Sequence, residues 1–202
     1  GLNDGLKHHG VTLEDSIVMD PQNTAFPLPV PRRVGGFTIQ EIAMLDYPYF
    51  IDVRESGLNT TSPVTSGLPQ ITIPWASPII LDEDKTKSFT KVELLHSSKD
   101  SWSSKNTDIT PQSRPDGSSG FNTLTGEGQK LLSVALQGRF ESYFKGQESP
   151  LLNTNTETPT PSAPPSPGAE PEKAKEVIGS VIDHSSASSR LIIVSSNTFV
   201  AD

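Results

Sequence analysis

The chain contains no cysteine, only two methionines and two tryptophans, and no apolar run longer than a few residues. Without cysteine there is no disulfide framework, no thiolate nucleophile and no cysteine metal site. Leu191–Val194 is typical of the longest apolar runs. It falls far short of the roughly 18 residues that a membrane-spanning helix needs. No signal peptide opens the sequence. Basic clusters are missing too. The densest is the pair Arg32-Arg33, within a chain of formal charge −8. Nucleic-acid affinity rests on Lys and Arg neutralising phosphates, so this balance argues against a nucleic-acid partner.

The length of 202 residues suits one domain, or one domain with a large insertion. A hydrophobic fraction of 33%, with 15 glycines and 18 prolines, is lean for a compact core. Both facts agree if part of the chain never enters that core. The segment 147–178 is the candidate. It is rich in Pro, Ser and Thr, holds 7 of the 18 prolines between Gln147 and Lys175, and offers almost nothing to bury. Such a composition does not offset ordering entropy, and we expect a disordered insert. Residues 1–146 and 179–202 then form one α/β domain. The insert's PxxP-like spacings suit a polyproline II ligand, although a plain tether is the simpler account.

Along the remainder, Leu2 and Leu6 with Gly10 behind them predict a short opening helix. Ser16–Asp20 predicts a strand that breaks at Pro21. Pro27, Pro29 and Pro31 confine the next passage to an edge or a loop. Period-2 alternation marks strands around Tyr47–Val53, Ile71–Trp75, Val92–Leu94 and Leu132–Leu136. Ser97–Gly120 is polar. Leu191–Val194 is continuously apolar, as in a parallel strand covered on both faces. The ends give the impression of a piece cut from a longer protein, with Gly1 left over from cloning.

Catalytic signatures are sparse. There is no G-x-S-x-G elbow to project a serine. The four histidines, His8, His9, His96 and His184, form no spacing with serines and carboxylates that supports a triad. Asp82, Asp84, Thr86 and Glu93 fall at positions one, three, five and twelve of a calcium loop, but Lys87 stands where its sharp turn needs glycine. A solvated charged turn is the better account, and no metal site or cofactor is expected. Gly126–Lys130 lacks the spacing of a phosphate loop, and Asn59-Thr60-Thr61 matches a glycosylation sequon by pattern only.

Two aromatic groups stand out as binding candidates. Trp75 and Ser77 lie between Pro74 and Pro78, while Arg139 and Tyr143 follow the strand at 132–136. Trp, Tyr and Arg dominate binding hot spots, although aromatics at strand ends more often close a core. The polar run Ser195-Ser196-Asn197 lies where open α/β sheets bind ligands, or where an ordinary helix cap begins.

Taken in order, YPYFIDV (47–53), ITIPWASPI (71–79), ALQGRFESYF (135–144) and RLIIVSSNTFVAD (190–202) resemble the auxiliary proteins of gliding-motility-type ABC transport systems. LNDGLKHHGV, VMDPQN, PVPRRVGGFT and LLHSS extend the resemblance over most of the chain outside 147–178. The resemblance implies a periplasmic or otherwise extracytoplasmic domain, tethered to the inner membrane by flanking helices. Its implied partners are an ABC permease and ATPase. It also implies a Rossmann-like, flavodoxin-like fold with a mostly parallel sheet, incomplete at both ends. That fold is similar to class I glutamine amidotransferase domains and to a domain of intraflagellar transport proteins. The amidotransferase cysteine nucleophile is absent here, so kinship would be of fold alone. The expected function is a non-catalytic accessory domain acting by protein or ligand binding in export or gliding motility. A carbohydrate-active or esterase-like hydrolase is the alternative.

Overall fold

The computed structural model describes residues 1–113, 115, 119–147 and 182–199. The chain order is α1 (Leu2–His8), β1 (Val11–Leu13), β2 (Ile17–Met19), β3 (Phe26–Val34), β4 (Phe37–Leu45), β5 (Phe50–Arg54), β6 (Gln70–Pro74) and β7 (Ile79–Leu81). Then follow α2 (Glu83–Thr86), β8 (Thr90–His96), β9 (Trp102–Ser104), β10 (Gln112–Ser113), β11 (Ser119–Gly120), β12 (Leu131–Gln137) and β13 (Arg190–Val194). Contacts divide the chain into two units, Gly1–Gly138 with Arg190–Asp202, and Arg139–Ser189. Most of the expected insert, from 148 to 178, lies outside the described residues.

The expected parallel, Rossmann-like sheet is wrong. Every strand pairing among the described residues is antiparallel. The strands form one three-stranded sheet, β13-β12-β8, and the two-stranded pairs β1-β7, β2-β9, β3-β4, β5-β6 and β10-β11. Parallel neighbours need crossovers of a dozen residues or more, normally helices that also cover the sheet faces. Here α1 has seven residues and α2 four. Neither can roof a sheet. The run 191–194 is accordingly an edge strand, with Ile193 buried and Ile192 about half exposed at 49%. The central position belongs to β12, whose Leu132, Val134 and Leu136 are fully buried. Each such side chain contributes about 1.5–3 kcal/mol of burial.

The main core joins Val18, Ile51, Val53, Ile73, Ala76, Leu94 and Leu132. The alternation read in β5, β6 and β12 thus does point inward. At the first helix, Leu6 is buried and Leu2 lies open. Gly10 follows with φ +81°, and a Cβ there would meet the Lys85 Cβ at 2.7 Å. Glycine is required on both counts.

The proline-dense passage is a strand, and an edge one. Pro27, Pro29 and Pro31 alternate along β3, opposite Met44, Ile42 and Gln40 of β4. Having no N–H, they occupy the positions whose backbone faces away from β4, and they strip that edge of donors.

Candidate functional site

The bend 74–78 is held at every residue. Ser196 Oγ donates to the Pro74 carbonyl (2.5 Å). Trp75 N–H donates to the Tyr49 carbonyl (3.0 Å), and Val18 N–H to that of Ala76 (2.8 Å). Ser77 N–H donates to the Ser195 carbonyl (3.0 Å), and Glu14 N–H to that of Pro78 (2.9 Å). The polar run after β13 has its first two residues bound to the bend. It is a clamp on the bend, across 122 positions of sequence.

Inside this clamp Trp75 takes φ +55°. A bulky side chain seldom occupies that left-handed region, and holding it there costs about 1–3 kcal/mol. The five bonds, and the packing of the indole, offset the strain. Trp75 stacks on Tyr49 with centroids 5.1 Å apart and planes at 25°. Tyr47 meets Trp75, Phe50 and Phe121 edge-on at 5.8, 4.9 and 5.1 Å. Beneath them Met19, Tyr49 and Trp102 form a second buried cluster. Burial pushes the Tyr47 and Tyr49 hydroxyls above their usual pKa, and for Tyr49 the neighbouring Tyr47 and Asp108 add to it. Tyr49 donates its hydroxyl to the Asp108 carbonyl (3.2 Å). Asp108 is held below the usual carboxylate range by the Thr110 N–H, which donates to its Oδ1 (3.0 Å).

Two shallow recesses of about 210 and 220 Å³ flank Phe121. The first is walled by Tyr49, Trp102, Asn106, Asp108, Gln112 and Asn122, a mix of aromatic and amide groups. Trp102 lines both. It is 1% exposed, and its indole N–H has no hydrogen-bond partner among the described residues. Such an orphan is uncommon and costs about 1–3 kcal/mol. Trp102 was missed in the sequence because it sits alone in the polar stretch 97–120. Its only signal was being the second of two tryptophans.

Of the expected site residues, Trp75 and Ser77 thus lie together on the clamped bend. Both are half-buried, and among the described residues neither the Trp75 indole N–H nor the Ser77 hydroxyl has a hydrogen-bond partner. Arg139 and Tyr143 belong to the second unit. There Phe140 and Ser185 exchange backbone and hydroxyl bonds (2.8 and 3.0 Å). Arg139 lies 3.6 Å from Glu141, which also pairs with Lys145. Tyr143 is exposed and packs edge-on against Phe144 at 5.2 Å.

The remaining motifs resolve into structure. Asp82 accepts from the N–H groups of Asp84 and Lys85 (3.1 Å each) and so caps α2. Asn59 Nδ2, the atom a glycan would need, donates to the Glu93 carbonyl (2.7 Å). In the glycine turn before β12, Glu127 accepts from Ser103 (3.2 Å) and Lys130 (3.0 Å), so the turn is tied by its own carboxylate. His96 Nε2 pairs with Glu93 (2.9 Å), and His184 Nδ1 meets the Ser185 carbonyl (3.1 Å).

A family model described as an ABC-type uncharacterized transport system, auxiliary component, matches residues 1–202. The chain belongs to this family. The matched span runs through 147–178, which the motif resemblance left out. No curated protein and no solved structure matches the chain. Membership makes it an auxiliary component of an ABC transport system, a membrane-associated machinery. Among the described residues no helix is long and apolar enough to cross a membrane.

Proposed function

We propose that this auxiliary component works by binding rather than catalysis, and that the bend carrying Trp75 and Ser77 is where a partner or ligand docks. The observation that carries the reading is a strained, fully clamped backbone whose Trp75 indole N–H and Ser77 hydroxyl have no hydrogen-bond partner among the described residues. Strain of this kind persists where surrounding structure over-determines it, and it concentrates at ligand clamps and switches. In the second unit, Arg139 and Tyr143 are the residues we assign to a further contact.

The permease and ATPase of the same system are the partners we propose, on the extracytoplasmic, periplasmic side of the inner membrane. There the domain would be held by helices flanking this sequence and would serve export or gliding motility. Support comes from family membership and from the motif resemblance.

The test is capture of the permease–ATPase complex by the tagged full-length protein. Trp75→Phe with Ser77→Ala keeps a ring over Tyr49 while removing both free polar groups. We expect at least a tenfold loss of capture with an unchanged denaturation midpoint. Normal capture and transport by that variant, and by Arg139→Ala/Tyr143→Ala, would refute the assignment.

A further inference from the structure

Beyond the bend, the feature with no role so far is the β3–β4 hairpin. From Pro31 around the turn to Met44 every residue is exposed. Gly35 and Gly36, with φ of +57° and +86°, make the tight turn that closes it. The cross-strand register puts Val34 opposite Phe37 and Arg32 opposite Ile39 on one face, with Arg33 opposite Thr38 on the other. Phe37 is 77% exposed, with Val34 and Ile39 about half exposed. The ten residues Val30–Ile39 contain two arginines and no acidic residue, inside a chain of formal charge −8. Arg32 reaches back to Glu41 (2.9 Å), while Arg33 has no ion pair among the described residues.

We infer that the tip of this hairpin, Arg32–Phe37, is a membrane-contact element that seats on an anionic phospholipid surface. Charge complementarity selects that occupant. The tip is basic and apolar within an acidic chain, and anionic headgroups over hydrocarbon present the matching pair of properties. Its reach fits as well. The four residue pairs from Pro31 and Gln40 to Val34 and Phe37 extend the arm by about 13 Å past Val30. Arg33 lies three pairs, about 10 Å, past Val30 and Glu41, beyond the ~8 Å screening length of physiological salt, while Arg32 stays paired with Glu41. A partner strand added to the open edge of β4 would need the ladder positions, and would leave the charge and the exposed phenylalanine at the tip without a purpose. Contact by one tip is weak alone and gains force when a second attachment holds the domain near the bilayer.

The experiment is sedimentation of the full chain with phosphatidylglycerol–phosphatidylcholine vesicles and with pure phosphatidylcholine vesicles, at 0.15 M salt or about that strength. We expect binding to the anionic vesicles only. Each arginine near such a surface raises partitioning about fivefold, so Arg32→Glu/Arg33→Glu should lower it at least ~25-fold, while Arg32→Lys/Arg33→Lys retains it. Phe37→Ser should weaken binding, and the emission of Phe37→Trp should shift to the blue on anionic vesicles alone. Equal binding to both vesicle types, or none, overturns the proposal. So does oligomerisation in the absence of lipid that the Phe37→Ser variant abolishes, which would make the arm a protein-pairing edge. None of these outcomes bears on Trp75, whose capture assay stands apart.

Discussion

Trp75 is joined to Tyr49 twice, by its ring stacked at 5.1 Å and by its N–H donating to the Tyr49 carbonyl at 3.0 Å. The backbone bond fixes the bend at a φ of +55°, and the stack keeps a large side chain where glycine would be more at ease. Local conformation and side-chain packing oppose each other at this one position.

That opposition reverses an ordinary ranking of variants. In most strands Trp→Gly costs more than Trp→Ala, because glycine gains freedom in the unfolded chain. At Trp75 both substitutions lose the stack, but alanine keeps the unfavourable φ and glycine relieves it. Trp75→Gly should therefore be more stable than Trp75→Ala by about 1 kcal/mol in urea denaturation. The usual order would show that the clamp does not impose the left-handed backbone.

Asp20 and Ser98 supply a second test. Asp20 is fully buried and accepts from the Ser98 N–H and Oγ (2.6 Å each) and from the Gln22 N–H (2.8 Å). Asp20→Ala leaves two backbone donors without their acceptor and should cost about 2–4 kcal/mol. Ser98→Ala removes one hydroxyl and should cost about 1 kcal/mol. Equal losses in the two variants, measured by chemical denaturation, would mean that the backbone donors find other acceptors.

The tyrosines predict a response to alkali. Tyr47 and Tyr49 have hydroxyl pKa values raised from 10.0 by burial. Below that value both states hold the proton, and the contribution to stability is complete. As pH rises past it, the unfolded chain releases protons that the folded chain retains, so stability falls until the folded groups ionise. The denaturation midpoint should decline from about pH 10 upward. Tyr47→Phe/Tyr49→Phe should flatten that decline. Native-state tyrosinate absorbance supplies an independent reading of the same titration.

Much of the strand inventory was legible because period-2 alternation reports one-sided burial directly. Ile51, Val53, Ile73, Leu132, Val134 and Leu136 were marked by it, and all six are buried. The prolines of β3 were legible for the same local reason, since a residue without N–H cannot serve a central ladder. Of the three-residue strands only Ile17–Met19 was legible, through the proline that ends it. Val11–Leu13, Ile79–Leu81 and Trp102–Ser104 are too short to show a period. The continuous apolar run at 191–194 was read as a parallel strand, and the resemblance implied the same, but such a run carries no information on strand direction and β13 pairs antiparallel.

At the candidate site the same division holds. Trp75 between two prolines stood out by composition alone, while its strain and its clamp did not. Sequence determined an acidic, cysteine-free chain, its main strands, its proline-blunted edge and the residues of the bend, because these depend on neighbours within a few positions. Only the tertiary structure decided that the strands pair antiparallel, that Ser196 grips Pro74 from 122 positions away, and that Trp102 lies buried beside Phe121. Those depend on which distant segments meet. Pairing energy is nearly indifferent to sequence separation, so no local pattern records it.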